Sequence, residues 1–137
     1  MKLSRHDIQK LEDYWFNLDK YKKELRHREL DLLNPVSDGS EIVGGRTNKI
    51  SDTTANKAII LAEDELYQNL KRIVTGIEKL SQNLTEDEQV IVDMRYRAPK
   101  GINEWEDIVY ELGYSRRKVL AIRNNLMDRT VEEIKYV

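Results

Sequence analysis

Apolar residues recur at helical spacing in two long segments of the first 84 residues. In the first segment they fall three or four residues apart, or at the sum of these steps: Ile8, Leu11, Trp15, Leu18, Leu25 and Leu32. Ser4 and Asp7 precede this stripe with the spacing of a capping box. Pro35 disfavours helical geometry in the residue before it, Asn34. The pattern predicts one long helix from the Ser4 cap to about Leu33.

A second stripe predicts another helix of similar length, with Ser51 or Asp52 as its N-cap. Its apolar members are Ile59, Ala62, Leu66, Leu70, Ile73, Ile77, Leu80 and Leu84. The segment between the stripes, about residues 34–52, is rich in loop-forming residues and is predicted to be a connector. Its Gly44-Gly45-Arg46 sequence lacks the Gly-Lys-Ser/Thr ending of a phosphate-binding loop. We expect residues 1–83 to form an antiparallel helical hairpin whose remaining apolar surface binds a second copy.

In residues 84–137 the pattern of apolar, capping and helix-ending residues predicts three short helices. Thr85 and Glu88 have capping-box spacing at the first. The sequence Ala98-Pro99-Lys100-Gly101 breaks the chain, after which Asn103 is expected to cap the second. Gly113 is suited to end the second helix in the left-handed conformation, and Ser115 to cap the third. The fold class is therefore predicted to be all-α, with a long hairpin followed by a three-helix helix-turn-helix domain.

Charge is concentrated in the third of these helices. The whole chain carries 23 basic and 25 acidic side chains, a net charge of −2. Between Gly113 and Arg129 the net charge is positive, because this segment contains five cations and one acid, Asp128, which gives 5 − 1 = +4. These cations are Arg116, Arg117, Lys118, Arg123 and Arg129. A local basic surface of this kind is expected of a segment that neutralises phosphates.

Helical geometry separates the two faces of this third helix. At about 100° per residue, Val119, Ile122 and Leu126 point inward. The outward face is the candidate DNA-reading surface, and it comprises Arg117, Leu120, Ala121 and Asn124, flanked by Ser115, Arg116, Lys118 and Asn125. Arginine can contact guanine, asparagine can pair with adenine, and alanine or leucine can lie against a thymine methyl group. Arg116, Lys118 and Arg123 are expected to hold phosphates.

The composition excludes several other classes of function. The chain has no cysteine and two histidines, so neither disulfides nor a thiolate metal site is expected, and we predict no metal or other cofactor. No nucleophile, base or metal-ligand pattern surrounds either histidine, and an enzyme is not expected. No apolar run approaches the roughly 18 residues that a membrane span needs. We expect a protein of the cytoplasm that does not enter a membrane.

The order of motifs in residues 84–126 resembles the promoter-reading region at the carboxyl end of bacterial sigma factors. The residues that carry this resemblance are Leu84-Thr85, Glu88, Ile91, Met94-Arg95-Tyr96, Trp105, Asp107-Ile108, Leu112 to Arg116, Val119 and Ile122. Arg116 and Arg117 match contact positions of that motif, whereas Lys118, Asn124 and Asn125 are predicted from helical geometry alone. Val109, Leu120 and Ala121 depart from it, so the promoter element that sigma factors read is not transferred.

The full layout resembles the RinA and ArpU group of phage transcriptional regulators. This resemblance rests on the amino-terminal helix, the Gly44-Gly45-Arg46 loop followed by Ile50-Ser51, and the sigma-like end. It implies a sequence-specific regulator of late phage genes in the bacterial cytoplasm, with double-stranded DNA and host RNA polymerase as partners. Two alternatives remain open: a DNA-recognition component of phage packaging, similar to a small terminase subunit, and an adaptor that binds RNA polymerase or a sigma factor.

Overall fold

The computed structural model of the protein describes residues 3–34, 53–97 and 103–135, and within them the secondary structure is helical without strands. The all-α class is confirmed. The α-helices are α1 (Arg5–Phe16), α2 (Leu18–Leu33), α3 (Thr53–Glu63), α4 (Glu65–Ser81), α5 (Glu86–Ile91), α6 (Trp105–Leu112) and α7 (Arg116–Ile134). A π-helical turn, Val92–Tyr96, extends α5. The predicted loop from Pro35, the Ser51 or Asp52 cap and the Ala98–Gly101 break lie outside the described residues.

The first predicted helix is divided at Asn17, so the expectation of one continuous helix to Leu33 is wrong. The Asn17 backbone is not helical, with φ −106° and ψ 30°, although its N–H still donates to the Asp13 carbonyl. Its side-chain amide donates to the Asp13 carboxylate. The division lets the two parts of the apolar stripe bury against different partners. Trp15 contacts α7, whereas α2 lies along α4.

The second predicted helix is divided at Asp64, which also corrects the expectation of continuity. The Asp64 carboxylate accepts a hydrogen bond from the Tyr67 backbone N–H at 2.7 Å and so caps α4. The same carboxylate accepts two hydrogen bonds from the Arg28 guanidinium, at 2.6 and 3.0 Å. An aspartate between apolar positions of a regular stripe gave no sign of this cap, because its partner Arg28 is 36 residues away in sequence.

Ion pairs between the long helices show their relative directions. Arg28 pairs with Asp64, and Lys22 pairs with Glu78 at 2.9 Å, so α2 and α4 run antiparallel. Lys79 pairs with Glu133 at 3.4 Å in the contact between α4 and α7. Gly76 lies in this contact, and a Cβ atom built there would come within 2.5 Å of the Ile134 side chain. The missing side chain therefore allows a close crossing of the two helices.

One cluster of buried apolar side chains extends through both halves of the chain. It includes Leu11 and Trp15 from α1, Ile77 and Leu80 from α4, Ile91 and Val92 from α5 and its π turn, Ile108 from α6, and Val119, Leu126, Met127 and Ile134 from α7. The predicted boundary between residues 83 and 84 falls between α4 and α5, and the division into two domains stays a prediction. The core itself is shared, since α1 packs directly on α7.

No helix in residues 3–34, 53–97 or 103–135 is both long enough and apolar enough to cross a bilayer.

The link between Arg28 and Asp64 predicts a pH-dependent contribution to stability. Hydrogen bonds from the Arg28 side chain and then from the Tyr67 backbone hold the pKa of Asp64 below its ordinary value. The contribution is therefore complete above the unfolded-state pKa of about 3.9. It is lost as the pH falls through the lower folded-state pKa. We expect Asp64→Asn, which keeps the cap, to be less stable than the wild type at pH 7 in urea unfolding.

The difference in unfolding free energy between Asp64→Asn and the wild type should then shrink as the pH falls below about 4. Gln82→Leu, a change at an exposed position at the opposite, carboxyl-terminal end of α4, serves as the control for general acid effects. A difference that stays constant across this range would show that the Asp64 charge contributes nothing to the contact between α2 and α4.

Candidate nucleic-acid interface

The turn between α6 and α7 is set by two residues, as the sequence predicts. Gly113 adopts the left-handed conformation, with φ 74° and ψ 20°, and its N–H donates to the Val109 carbonyl at 2.9 Å. No atom beyond Gly113 itself and its two chain neighbours lies within 4 Å of where its Cβ would stand, so backbone conformation alone favours glycine. Ser115 is the N-cap of α7, and its hydroxyl accepts a hydrogen bond from the Lys118 N–H at 3.2 Å.

The apolar face of α7 is directed into the core. Val119 and Leu126 are fully buried, and Ile122 is half-buried against the same cluster. Toward the carboxyl end this face continues through Met127 and Ile134, which are buried in the shared core, and α7 as a whole packs against α4 and α1. The inward triplet predicted from helical spacing is therefore confirmed, and it fixes which side of α7 faces solvent.

The opposite face of α7 carries most of the predicted reading surface. The exposed members are Ser115, Arg116, Arg117, Lys118, Ala121, Asn124 and Asn125, while Leu120 is half-buried. Neither the Arg117 side chain nor the Asn125 side chain makes a hydrogen bond or ion pair with another residue that the structure describes. Both side chains can therefore turn toward a ligand without breaking a contact of the fold.

Two cations at the start of α7 have partners in the neighbouring turn and helices. Arg116 pairs with Glu106 of α6 at 2.8 Å, and both side chains are largely exposed. The Lys118 ammonium lies 3.8 Å from the centre of the Tyr114 ring. The Tyr114 hydroxyl donates to Asp87 at 3.1 Å, and this hydrogen bond raises the pKa of Tyr114. These surface contacts are weak enough for a phosphate to replace them.

Arg123 departs from its predicted role. It was expected to hold a phosphate, but only 16% of its side chain is exposed. The guanidinium pairs with Glu12 of α1 at 3.4 Å, and its centre lies 5.4 Å from that of the Trp105 ring. Because this contact joins α1 to α7, Arg123 holds the fold together, and we leave it out of the proposed DNA-contacting set.

Arg129 also points into the fold, which reduces the basic surface deduced from the local charge of +4. Its guanidinium donates to the buried carboxylate of Glu88 and to the Asn83 carbonyl at 2.9 Å. Glu88 is the capping-box acid of α5, so this contact ties the start of α5 to α7. Between Gly113 and Arg129, the exposed cations are therefore the three consecutive residues Arg116, Arg117 and Lys118.

The two asparagines differ in what they can read. The Asn124 side-chain oxygen accepts a hydrogen bond from the Arg123 Nε at 2.8 Å, which leaves its amide as a donor. Paired recognition of adenine needs both a donor and an acceptor from one carboxamide. Because Asn125 has both atoms unengaged by the residues that the structure describes, it is better placed than Asn124 for such a contact.

Sequence reasoning missed the contacts that hold α1 against α7. The Trp15 indole N–H donates to the buried Thr130 hydroxyl at 3.0 Å. Glu12 accepts hydrogen bonds from Arg123 and from the buried hydroxyl of Tyr96, and burial is the main cause that raises the pKa of Tyr96. The sequence signal for these contacts is a polar residue at a core-facing position of α7: Thr130, four residues after Leu126.

A second correction concerns the start of α6. Asn103 is predicted as its N-cap, but Glu104 occupies that position, and the Asp107 carboxylate accepts a hydrogen bond from the Glu104 backbone N–H at 3.1 Å. The backbone N–H and the side-chain amide of Asn103 instead donate to the Met94 carbonyl at 3.1 and 2.9 Å. Asn103 thereby holds the end of the π turn against the start of α6.

Within the described residues, no group of three or more histidine, cysteine or acidic side chains is arranged to hold a metal ion. The chain was compared with known proteins, and no curated protein and no solved structure matches it. The sequence model of the family described as protein of unknown function (DUF722) matches residues 5–132, and the chain belongs to that family.

Proposed function

We propose that this protein is a sequence-specific double-stranded DNA-binding regulator of transcription, of the kind that activates late genes of a bacteriophage. One observation carries the proposal: α7 begins at a sharp Gly113–Ser115 turn and presents Arg117, Ala121 and Asn125 to solvent while its other face is buried. A helix that is exposed along one side and supported by a second helix behind the turn can enter the major groove. The resemblance to sigma factors supports the same reading.

Each exposed side chain has a role in the proposed complex. Arg117 contacts a guanine with two hydrogen bonds, Asn125 reads an adenine, and the Ala121 methyl group lies against a thymine methyl. Arg116 and Lys118 contact phosphates on either side of the groove, together with backbone N–H groups at the start of α7. The acidic side chains of α6, such as Glu106, limit how closely the rest of this unit approaches the phosphate backbone.

The small number of exposed cations predicts a modest salt dependence. The two cations assigned to phosphates, Arg116 and Lys118, give a slope of about −1.8 for log affinity against log salt concentration, at about −0.9 per phosphate. If Arg123 and Arg129 also engaged phosphates, the slope would approach about −3.6. Titration of a fluorescent duplex with the protein at several salt concentrations measures this slope. The value per bound chain shows whether Arg123 and Arg129 contact phosphates.

Absence of any duplex binding at low ionic strength would contradict the proposal. A slope of about −1.8 that is the same for every sequence, with no preferred site, would also contradict it, because it would describe attraction to phosphates alone. The expected result is instead a preferred sequence bound well above the background of random duplex.

A second candidate function is an adaptor that binds host RNA polymerase or a sigma factor. The observation that favours it is Tyr110 of α6, which is 89% exposed, next to the exposed acid Glu111. Exposed tyrosines are frequent anchors of protein interfaces. The adaptor predicts co-purification with polymerase in the absence of DNA, and loss of that complex in Tyr110→Ala. Both functions place the protein in the cytoplasm of the bacterial host.

A further inference from the structure

Tyr114 lies in the turn between α6 and α7 and connects this turn to two helices. Its hydroxyl donates to Asp87 in the first turn of α5 at 3.1 Å. The Lys118 ammonium of α7 lies over its ring, 3.8 Å from the ring centre. The ring itself is half-buried and packs against the core cluster. Because both the core and Asp87 hold the ring, it gives the Lys118 side chain a fixed surface to lie on.

Lys118 is restrained at its backbone and at its ammonium, and it is still exposed. Its backbone N–H donates to the Ser115 hydroxyl at 3.2 Å, and its ammonium lies on the Tyr114 ring. Arg116 is held differently, because Glu106 pairs with it at 2.8 Å and offsets its charge. Lys118 has no such carboxylate partner among the described residues. Since an aromatic ring attracts a cation without neutralising it, Lys118 keeps its full charge for a phosphate.

A second tyrosine and lysine with the same spacing, Tyr67 and Lys71 of α4, make a much looser contact. The Lys71 ammonium lies 5.9 Å from the centre of the Tyr67 ring. Both residues of that pair belong to one helix, whereas Tyr114 precedes the Ser115 cap and lies outside α7. The close contact at Lys118 is therefore a product of the turn and not of the four-residue spacing alone.

We propose that Tyr114 is a positioning residue, which holds Lys118 for contact with a DNA phosphate; this inference rests on the proposed function. A free lysine side chain loses rotamer freedom when it binds a phosphate, and that loss weakens the contact. The Tyr114 ring restricts the side chain before DNA arrives. It covers one side of the ammonium, whose three N–H donors leave another side open to a phosphate oxygen. Tyr114 therefore raises the affinity for every duplex and does not select a sequence.

The test is a double-mutant cycle in duplex titrations, with Tyr114→Leu, Lys118→Ala and the variant that carries both changes. Tyr114→Leu should weaken binding to preferred and random duplexes alike by about twofold to fivefold, the value of one exposed contact between a cation and a ring. In the Lys118→Ala background the same change should have no effect, because Tyr114 acts through Lys118. Tyr114→Phe, which keeps a ring, should retain most of the wild-type affinity. Lys71→Ala removes an exposed lysine from the looser pair, and this matched control should bind as the wild type does.

A loss from Tyr114→Leu that is the same with and without Lys118 overturns the inference, because it would come from the fold alone. A gain in affinity overturns it too, since it would show that the phosphate displaces the ring. If circular dichroism shows that Tyr114→Leu is unfolded, the wild type decides by nuclear magnetic resonance. The ring should shift the Lys118 ε-methylene signals upfield in the free protein and in the duplex complex, and loss of this shift on binding overturns the inference. The proposed function fails separately, if the wild type binds no duplex.

Discussion

Replacing Trp15 with alanine is expected to lower the free energy of unfolding by roughly 3–5 kcal/mol, the usual cost of removing a buried tryptophan. Trp15 is almost fully buried in the contact between α1 and α7, and its indole N–H donates to Thr130. The substitution leaves a cavity and removes this hydrogen bond. Urea unfolding followed by circular dichroism measures the loss. A protein of this size has a total stability of about 5–15 kcal/mol, so the variant should be close to unfolded at elevated temperature.

Phe16→Ala is the control, since it removes the neighbouring aromatic side chain from an exposed position. It should change the unfolding free energy by less than about 1 kcal/mol. If Trp15→Ala were as mild as Phe16→Ala, α1 would not be part of the core that supports α7. Trp15→Phe separates the effect of the cavity from that of the lost hydrogen bond, because phenylalanine fills most of the cavity but cannot donate to Thr130.

Replacing Arg117 with alanine is expected to weaken binding to the preferred duplex by roughly tenfold to a hundredfold, the cost of about 1–3 kcal/mol for one base contact. Arg117 is exposed and has no partner among the described residues, so its removal should not disturb the fold. Affinity for random duplex should change much less. The preferred and random duplexes are compared in parallel titrations, and the selected sequence should lose its preference at one position.

Lys118→Ala tests the proposed phosphate contact in the same duplex titrations. It should weaken binding to all duplexes alike and reduce the salt slope by about 1. Arg72→Ala is the control, because it removes an exposed arginine from α4 and leaves α7 unchanged. If Arg117→Ala and Arg72→Ala gave the same small loss for the preferred duplex, the exposed face of α7 would not read bases.

The parts of the fold that sequence predicts correctly are those that depend on neighbouring residues. The Ser4, Thr85 and Ser115 caps form where the spacing places them, and Gly113 takes the left-handed conformation. Each of these features is decided within about four residues, which is why local pattern suffices. The core-facing positions of α7 follow from helical periodicity in the same way.

The parts that sequence does not predict depend on contacts between distant residues. Asp64 caps α4 while it binds Arg28, and the stripe around it shows no interruption. Arg123 has the appearance of a phosphate-binding cation on a helical wheel, but Glu12 on α1 turns it inward. A helical wheel gives the direction in which a side chain points, but it does not show which residues of other helices lie opposite that side chain. Buried ion pairs are therefore the usual source of such errors.

The measurement that most directly tests the central claim is DNA cleavage from a reagent attached to α7. The chain has no cysteine, so Asn124→Cys, at an exposed position of α7 to which the proposed complex assigns no base contact, provides one attachment point for an iron chelate that cuts nearby DNA. Asp93→Cys, at an exposed position of the π turn, is the control. We predict that the reagent at position 124 cuts the preferred duplex at a few adjacent base pairs within the bound site. Cleavage from position 124 that is absent, or no more localised than cleavage from position 93, would contradict the account.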